Sequence, residues 1–148
     1  MSSNVKWDMG GMTLLANASQ VIAANATTAF DFGTPNDIDL EAETDYAPGD
    51  RLLLVLSATR AAGTTSTLTF TVQDAPDNAG SIGTPATAVT AGTIPSMAAD
   101  SGAINVAAAV AIKLQPGRTW VRVNAVHGVG GTDSFQCHAS LYAVPSNV

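Results

Sequence analysis

The side chains best suited to chemistry in this 148-residue chain are its two histidines, His127 and His138, because any imidazole-based nucleophilic or metal mechanism has to use one of them. Ser134, His127 and Asp133 supply the residue types of a hydrolytic triad. No Gly-x-Ser-x-Gly elbow marks them, and they share a glycine-rich turn rather than standing on separate rigid elements, so a working triad is not expected there. The two histidines together with acidic residues match no metal-ligand spacing. Acids at positions 37, 39, 41, 43 and 45 alternate with Ile38, Leu40, Ala42 and Thr44, which puts the five carboxylates on one face of an extended segment. A calcium loop would instead curl around the ion and would carry glycine where Ala42 stands, so the expectation is a solvated strand face or a contact with a basic surface. Gly128 to Gly131 lacks the lysine and the following helix of a phosphate loop and reads as turn glycine. Cys137 is the only cysteine, which excludes an internal disulfide and points to a small buried hydrophobe rather than a reactive thiol. Trp120 and Tyr142 are aromatics on the outward rows of their strands. They could stack on a sugar or anchor a protein interface, and Arg122 beside Trp120 favours the interface.

The elements that must hold these residues are strands. Leu52, Leu54 and Leu56 alternate with Leu53 and Val55 between Arg51 and Ala58, so both faces of that strand need cover. Leu68, Phe70 and Val72 alternate with threonines and imply a half-exposed antiparallel strand. The alanine-rich run before Leu114 is read as strand from about Val110. Gln115-Pro-Gly-Arg118 then forms a type II turn, since proline presets the first central φ and glycine accepts the positive second one. Val121, Val123 and Ala125 face inward from the next strand, with Trp120, Arg122 and Asn124 outward. In the last strand Phe135, Cys137, Ala139 and Leu141 face inward, and His138 and Tyr142 outward. About eight strands with glycine and proline turns and no clear helix imply an all-β antiparallel sandwich or jelly roll. Residues 1–17 read as an extended N-terminal arm and 18–148 as a single domain. Val5, Trp7, Met9, Met12 and Leu14 in the arm, with Leu53 and Val55, are candidates for contact with another subunit or a partner, because one thin sandwich cannot hide all of them.

Composition narrows the partners. The net charge of −6, with only six basic residues, opposes nucleic-acid binding, which draws its affinity from lysine and arginine on phosphates. Anionic membranes are disfavoured for the same reason, and no apolar run approaches the roughly 20 residues of a membrane span. The N-terminal residues lack the basic and then apolar regions of a secretory signal, so synthesis in a cytoplasm without export is the expectation.

One resemblance joins these features. Leu68-Thr-Phe-Thr-Val-Gln-Asp-Ala75, then Ala111-Ile-Lys-Leu-Gln-Pro-Gly-Arg-Thr-Trp-Val-Arg-Val123, then Gly130-Gly-Thr-Asp-Ser-Phe-Gln-Cys-His-Ala-Ser-Leu141 resemble the small head decoration, or cement, proteins of tailed bacteriophages of the jelly-roll type. The likeness covers roughly residues 50–143 and rests on strand patterns. It implies a homotrimer on the outer surface of the virion, clamping major capsid protein at capsomer junctions. It implies no catalytic residue, cofactor or metal. Two other classes stay open: a carbohydrate-binding β-sandwich module of a phage or bacterial surface protein, which would use Trp120, and an enzyme dependent on His127 or His138.

Overall fold

The computed structural model describes residues 12–23, 26–32, 37–60, 67–91, 94, 96–97, 104–128 and 134–145. Eleven strands build the described part: β1 (Thr13–Ile22), β2 (Thr27–Ala29), β3 (Ile38–Asp39), β4 (Arg51–Arg60), β5 (Leu68–Ala75), β6 (Ala86–Thr87), β7 (Val89–Ala91), β8 (Ser96–Met97), β9 (Ile104–Lys113), β10 (Trp120–His127) and β11 (Phe135–Val144). The count exceeds the expected eight because several strands are only two or three residues long. They form a five-stranded sheet in the order β1-β11-β4-β9-β7 and a six-stranded sheet in the order β2-β10-β5-β6, with β3 also on β10 and β8 also on β5. All pairs are antiparallel. The pairing is nested: β1 with β11, β2 and β3 with β10, β4 with β9, and β5 with β6 and β8. This is one long hairpin rolled into a two-sheet sandwich, the jelly-roll arrangement.

The alternation in the sequence puts the core between the sheets. Leu52, Leu54, Leu56, Phe135, Ala139 and Leu141 from one sheet meet Leu68, Phe70, Val72, Val121 and Val123 from the other. Cys137 belongs to this core, and burial pushes its thiol up to about 12, so it stays a neutral apolar filler under ordinary conditions.

β9, β10 and β11 do not pair with one another; β10 lies in the opposite sheet from its two chain neighbours. The Gln115–Arg118 turn exists, closed by Arg118 N–H to Gln115 O at 3.1 Å with Gly117 at φ +75°. It carries the chain from one sheet to the other. Residues 13–17 belong to β1, which pairs with β11. Two expectations are corrected. First, β9 starts at Ile104, six positions before Val110, because Leu56, Ser57, Ala58, Thr59 and Arg60 of β4 extend the ladder over its alanines. Second, the acidic segment is not one extended strand. Ile38–Asp39 pairs with β10 and Leu40 N–H donates to Thr119 O at 2.9 Å, but the chain turns over Leu40, Glu41 and Ala42, with Ala42 N–H on Asp39 O at 3.2 Å. The chain also switches sheets at buried Ala88, between β6 and β7, where Ala88 N–H is held by Val72 O.

A tight turn, Asn78 to Ser81, caps the excursion after β5, with reciprocal backbone bonds between Asn78 and Ser81. Both central residues have positive φ, Ala79 at 53° and Gly80 at 83°, which is the type I′ geometry that prefers asparagine before glycine. Alanine in the left-handed region is strained. Replacing Ala79 by asparagine is expected to stabilise the fold by about 1 kcal/mol. In thermal unfolding this reads as a Tm rise of about 2 to 4 °C.

Candidate functional site

The outer face of the five-stranded sheet collects most of the described contact candidates. Register aligns Leu14 with Tyr142, Tyr142 with Leu53, and Leu53 with Ala111, so one row crosses four strands. The next rows are Asn17, Ser140, Val55 and Ala109, then Ser19, His138, Ser57 and Ala107, then Val21, Gln136, Thr59 and Asn105. No carboxylate, lysine or arginine stands in these rows; Arg51 and Lys113 appear only at one end. Among the described residues Leu14 and Val21 are the large hydrophobics most open to solvent, at 45% and 53%, and Leu53, Val55 and Tyr142 are half-buried. The sequence pattern identified Leu14, Leu53, Val55 and Tyr142. It did not identify Val21 or the alanine column Ala107, Ala109 and Ala111, whose small size keeps the face flat. Met12 is half-buried just before β1. Val5, Trp7 and Met9 lie outside the described residues.

Trp120 and Arg122 are not on this face. They belong to β10 in the other sheet, and Trp120 is buried, with 1% exposure, outside the core cluster. The loop after β5 covers it, and its Nε1–H donates to Asp77 Oδ1 at 3.0 Å. The indole therefore has no face free to stack on a sugar. Arg122 makes a two-pronged ion pair with Asp37, Nε to Oδ1 at 2.7 Å and Nη2 to Oδ2 at 2.8 Å. Asp37, read from the sequence as one of a solvated row, is buried by that pairing.

The indole bond holds the Asp77 carboxyl below its ordinary value of 3.8, and the Gly80 backbone N–H adds to the effect. A depressed folded-state value stabilises the fold above the ordinary carboxylate range, and this contribution is lost as pH falls through the lowered value. Asp77→Asn keeps an acceptor for the indole but cannot titrate. The Tm gap between wild type and Asp77→Asn is therefore expected to be largest at neutral pH and to close as pH falls below the ordinary value of 3.8. A gap that persisted unchanged well below that value would show that Asp77 has no such role.

The histidines are far apart in the topology. His127 is buried on the inner face of β10, edge-on to Phe135 with centroids 5.2 Å apart, and its Nδ1 donates to Gly128 O at 2.8 Å. His138 lies on the outer face of the other sheet, its Nδ1 2.7 Å from Ser19 Oγ and its Nε2 2.8 Å from Ser140 Oγ. This hydroxyl–imidazole–hydroxyl chain joins β1 and β11 on a flat surface. Among the described residues no carboxylate orients the ring. Among the described residues no cluster of histidine, cysteine, aspartate or glutamate could hold a metal ion.

A cleft of about 880 Å³ lies at the end of the sandwich where Leu52 and Ile112 are placed. Leu40, Tyr46, Leu52, Ile112 and Leu114 line it, with Arg51, Lys113, Glu41 and Asp50 also on its wall. Desolvation, with Asp50 nearby, raises the Tyr46 hydroxyl above its ordinary value and keeps it a neutral donor. Close by, buried Asp74 on β5 accepts Gln115 N–H at 2.9 Å, Gln115 Nε2 at 3.2 Å and Arg118 Nε at 2.5 Å. Arg118 Nη2 donates further to the carbonyls of Asp74 and Thr84. The cluster pins the turn between β9 and β10 onto β5. Its donors are consumed by structure, so it offers nothing to a ligand. The chain matches no protein-family model and no curated protein.

Proposed function

We propose that this protein is a structural virion component that decorates the outside of a tailed-phage head, binding major capsid protein at capsomer junctions as a homotrimer. The observation that carries the reading is the outer face of the five-stranded sheet, whose four rows from Leu14 to Val21 hold no charged side chain, with Arg51 and Lys113 only at one end. A chain of net charge −6 repels copies of itself and other acidic surfaces. A face without carboxylates and with exposed Leu14 and Val21 is where that repulsion is least and where apolar burial gains most. Four strands of about ten residues, about 4.8 Å apart, cover roughly 500 to 650 Å² in projection. Allowing for side-chain relief, this approaches the ~800 Å² per partner of a standard interface. The likeness of residues 50–143 to cement proteins supplies the identity of the partner.

The test has two arms. Light scattering is expected to give a mass three times the 15.0 kDa chain, and co-sedimentation with heads built of major capsid protein is expected to saturate. Val55→Lys and Ala109→Lys place a charge on the face without touching the core, and are expected to weaken one or both associations at unchanged Tm. A monomer that ignores heads at micromolar concentration would refute the proposal.

A further inference from the structure

We propose that the cleft at the end of the sandwich binds an apolar monocarboxylic acid, with its carboxylate between Arg51 and Lys113 and its apolar body on Leu40, Leu52, Ile112 and Leu114. The volume, about 880 Å³, and the apolar floor have the proportions of a small-molecule site. The charges on its rim define the ligand. Arg51 opens β4 and Lys113 closes β9, and Leu52 is in register with Ile112, so the two bases are the next pair out on the same ladder. Like charges opposite each other on neighbouring strands repel, and an anion seated between them replaces that repulsion with two attractions. The described chain does not supply the anion. Both bases are exposed, and neither forms an ion pair among the described residues. Arg118 and Arg122, by contrast, are committed to Asp74 and Asp37, and Arg60 is buried.

A carboxylate matches the flat fork of a single guanidinium, and the lysine ammonium reaches its remaining lone pairs. The other wall restricts the ligand to one such group. Glu41 follows Leu40, whose N–H is held by Thr119 O, so it stands on the side of the six-stranded sheet, away from the strand ends that carry the bases. A second anionic group there would meet a like charge. Asp50 also lies on the lining, but its Oδ2 accepts Ala47 N–H at 2.9 Å within its own turn. The remaining polar groups are neutral: the Tyr46 hydroxyl, and Thr119 Oγ1, which is buried without a hydrogen-bond partner. The apolar body is required as well as the carboxylate. A chain of net charge −6 repels anions at long range, so a small hydrophilic acid gains too little from two exposed bases, whereas contact with four aliphatic side chains supplies the rest.

Isothermal titration of the full-length protein with decanoate, decanol and acetate tests the site. Decanoate is expected to saturate at one equivalent per chain, and acetate to give no binding. Decanol, with the same apolar body and no charge, is expected to bind about ten-fold more weakly or worse, the factor that one hydrogen bond between charged groups supplies. Arg51→Gln with Lys113→Gln is expected to weaken decanoate by about the same factor, to leave decanol unchanged, and to keep the Tm of the unliganded protein at or above that of wild type, because a repulsive pair has been removed. Absence of saturable decanoate binding overturns the proposal, as do equal affinities for decanoate and decanol or a double variant that binds decanoate as wild type does. A double variant that loses decanol in step with decanoate would show that the two bases only shape the cleft, and overturns the assignment of the carboxylate.

Discussion

Asp74→Ala is expected to destabilise the protein by about 3 to 5 kcal/mol, the range for breaking a buried ion pair by removing one partner. Asp74 has no exposed surface, and its carboxylate is the common acceptor for Gln115 N–H, Gln115 Nε2 and Arg118 Nε. Alanine leaves those donors facing a void. The guanidinium, whose side chain is 19% exposed, can recover some water, which favours the lower end of the range. For a domain of this size the change corresponds to a Tm fall of about 6 to 20 °C. Arg118→Met removes the charge together with its need for a partner and is expected to cost less than half as much. A Tm within about 2 °C of wild type for Asp74→Ala would mean that the turn between β9 and β10 is held by its backbone alone.

Trp120→Ala carries the second large effect, about 3 to 5 kcal/mol, as for other fully buried aromatics cut to alanine. The ring is shielded by the loop that carries Asp77, so its loss both opens a cavity and releases that loop. Trp120→Phe retains most of the packing and forfeits only the bond to Asp77, whose exposed carboxylate rehydrates. It is expected to cost about 1 kcal/mol. The pair of variants separates packing from hydrogen bonding in one denaturation series. A Trp120→Ala protein with unchanged Tm and lost glycan binding would restore the ring as a recognition platform and contradict the buried placement.

Which residues face inward was legible in the sequence, because alternation is a local property of the strand. Val121, Val123, Ala125, Phe135, Cys137, Ala139 and Leu141 all lie in the core as read. Partner choice was not legible, since a Pro-Gly turn followed by a strand looks the same whether the strand folds back or crosses to the other sheet. The register that places Leu14 beside Tyr142 and Leu53 joins residues far apart in sequence, and no local pattern encodes it. Trp120 shows a different limit. Alternation put it on the side opposite Val121, but its exposure depended on a loop folded over it, anchored by a hydrogen bond from a residue 43 positions away. The acidic row from Asp37 to Asp45 reads as a strand by period alone. Arg122 draws Asp37 inward, and the chain turns from Leu40.

The nested pairing also dictates an order of assembly. Its innermost loop, bridged between Asp77 and Ile82, closes over a handful of residues, whereas joining Thr13 to Ala143 closes nearly the whole chain. Loop-closure entropy grows with the logarithm of the enclosed length, so the inner turns of the roll are the least costly to form early and the outermost seam is the most costly. Folding dominated by such distant pairings runs on the millisecond-to-second scale. Until β1 docks, the free edge of β11 is a template for any extended strand nearby. On a ribosome β1 stays without its partner until Phe135–Val144 has emerged, because that strand is the last of the described strands to be made.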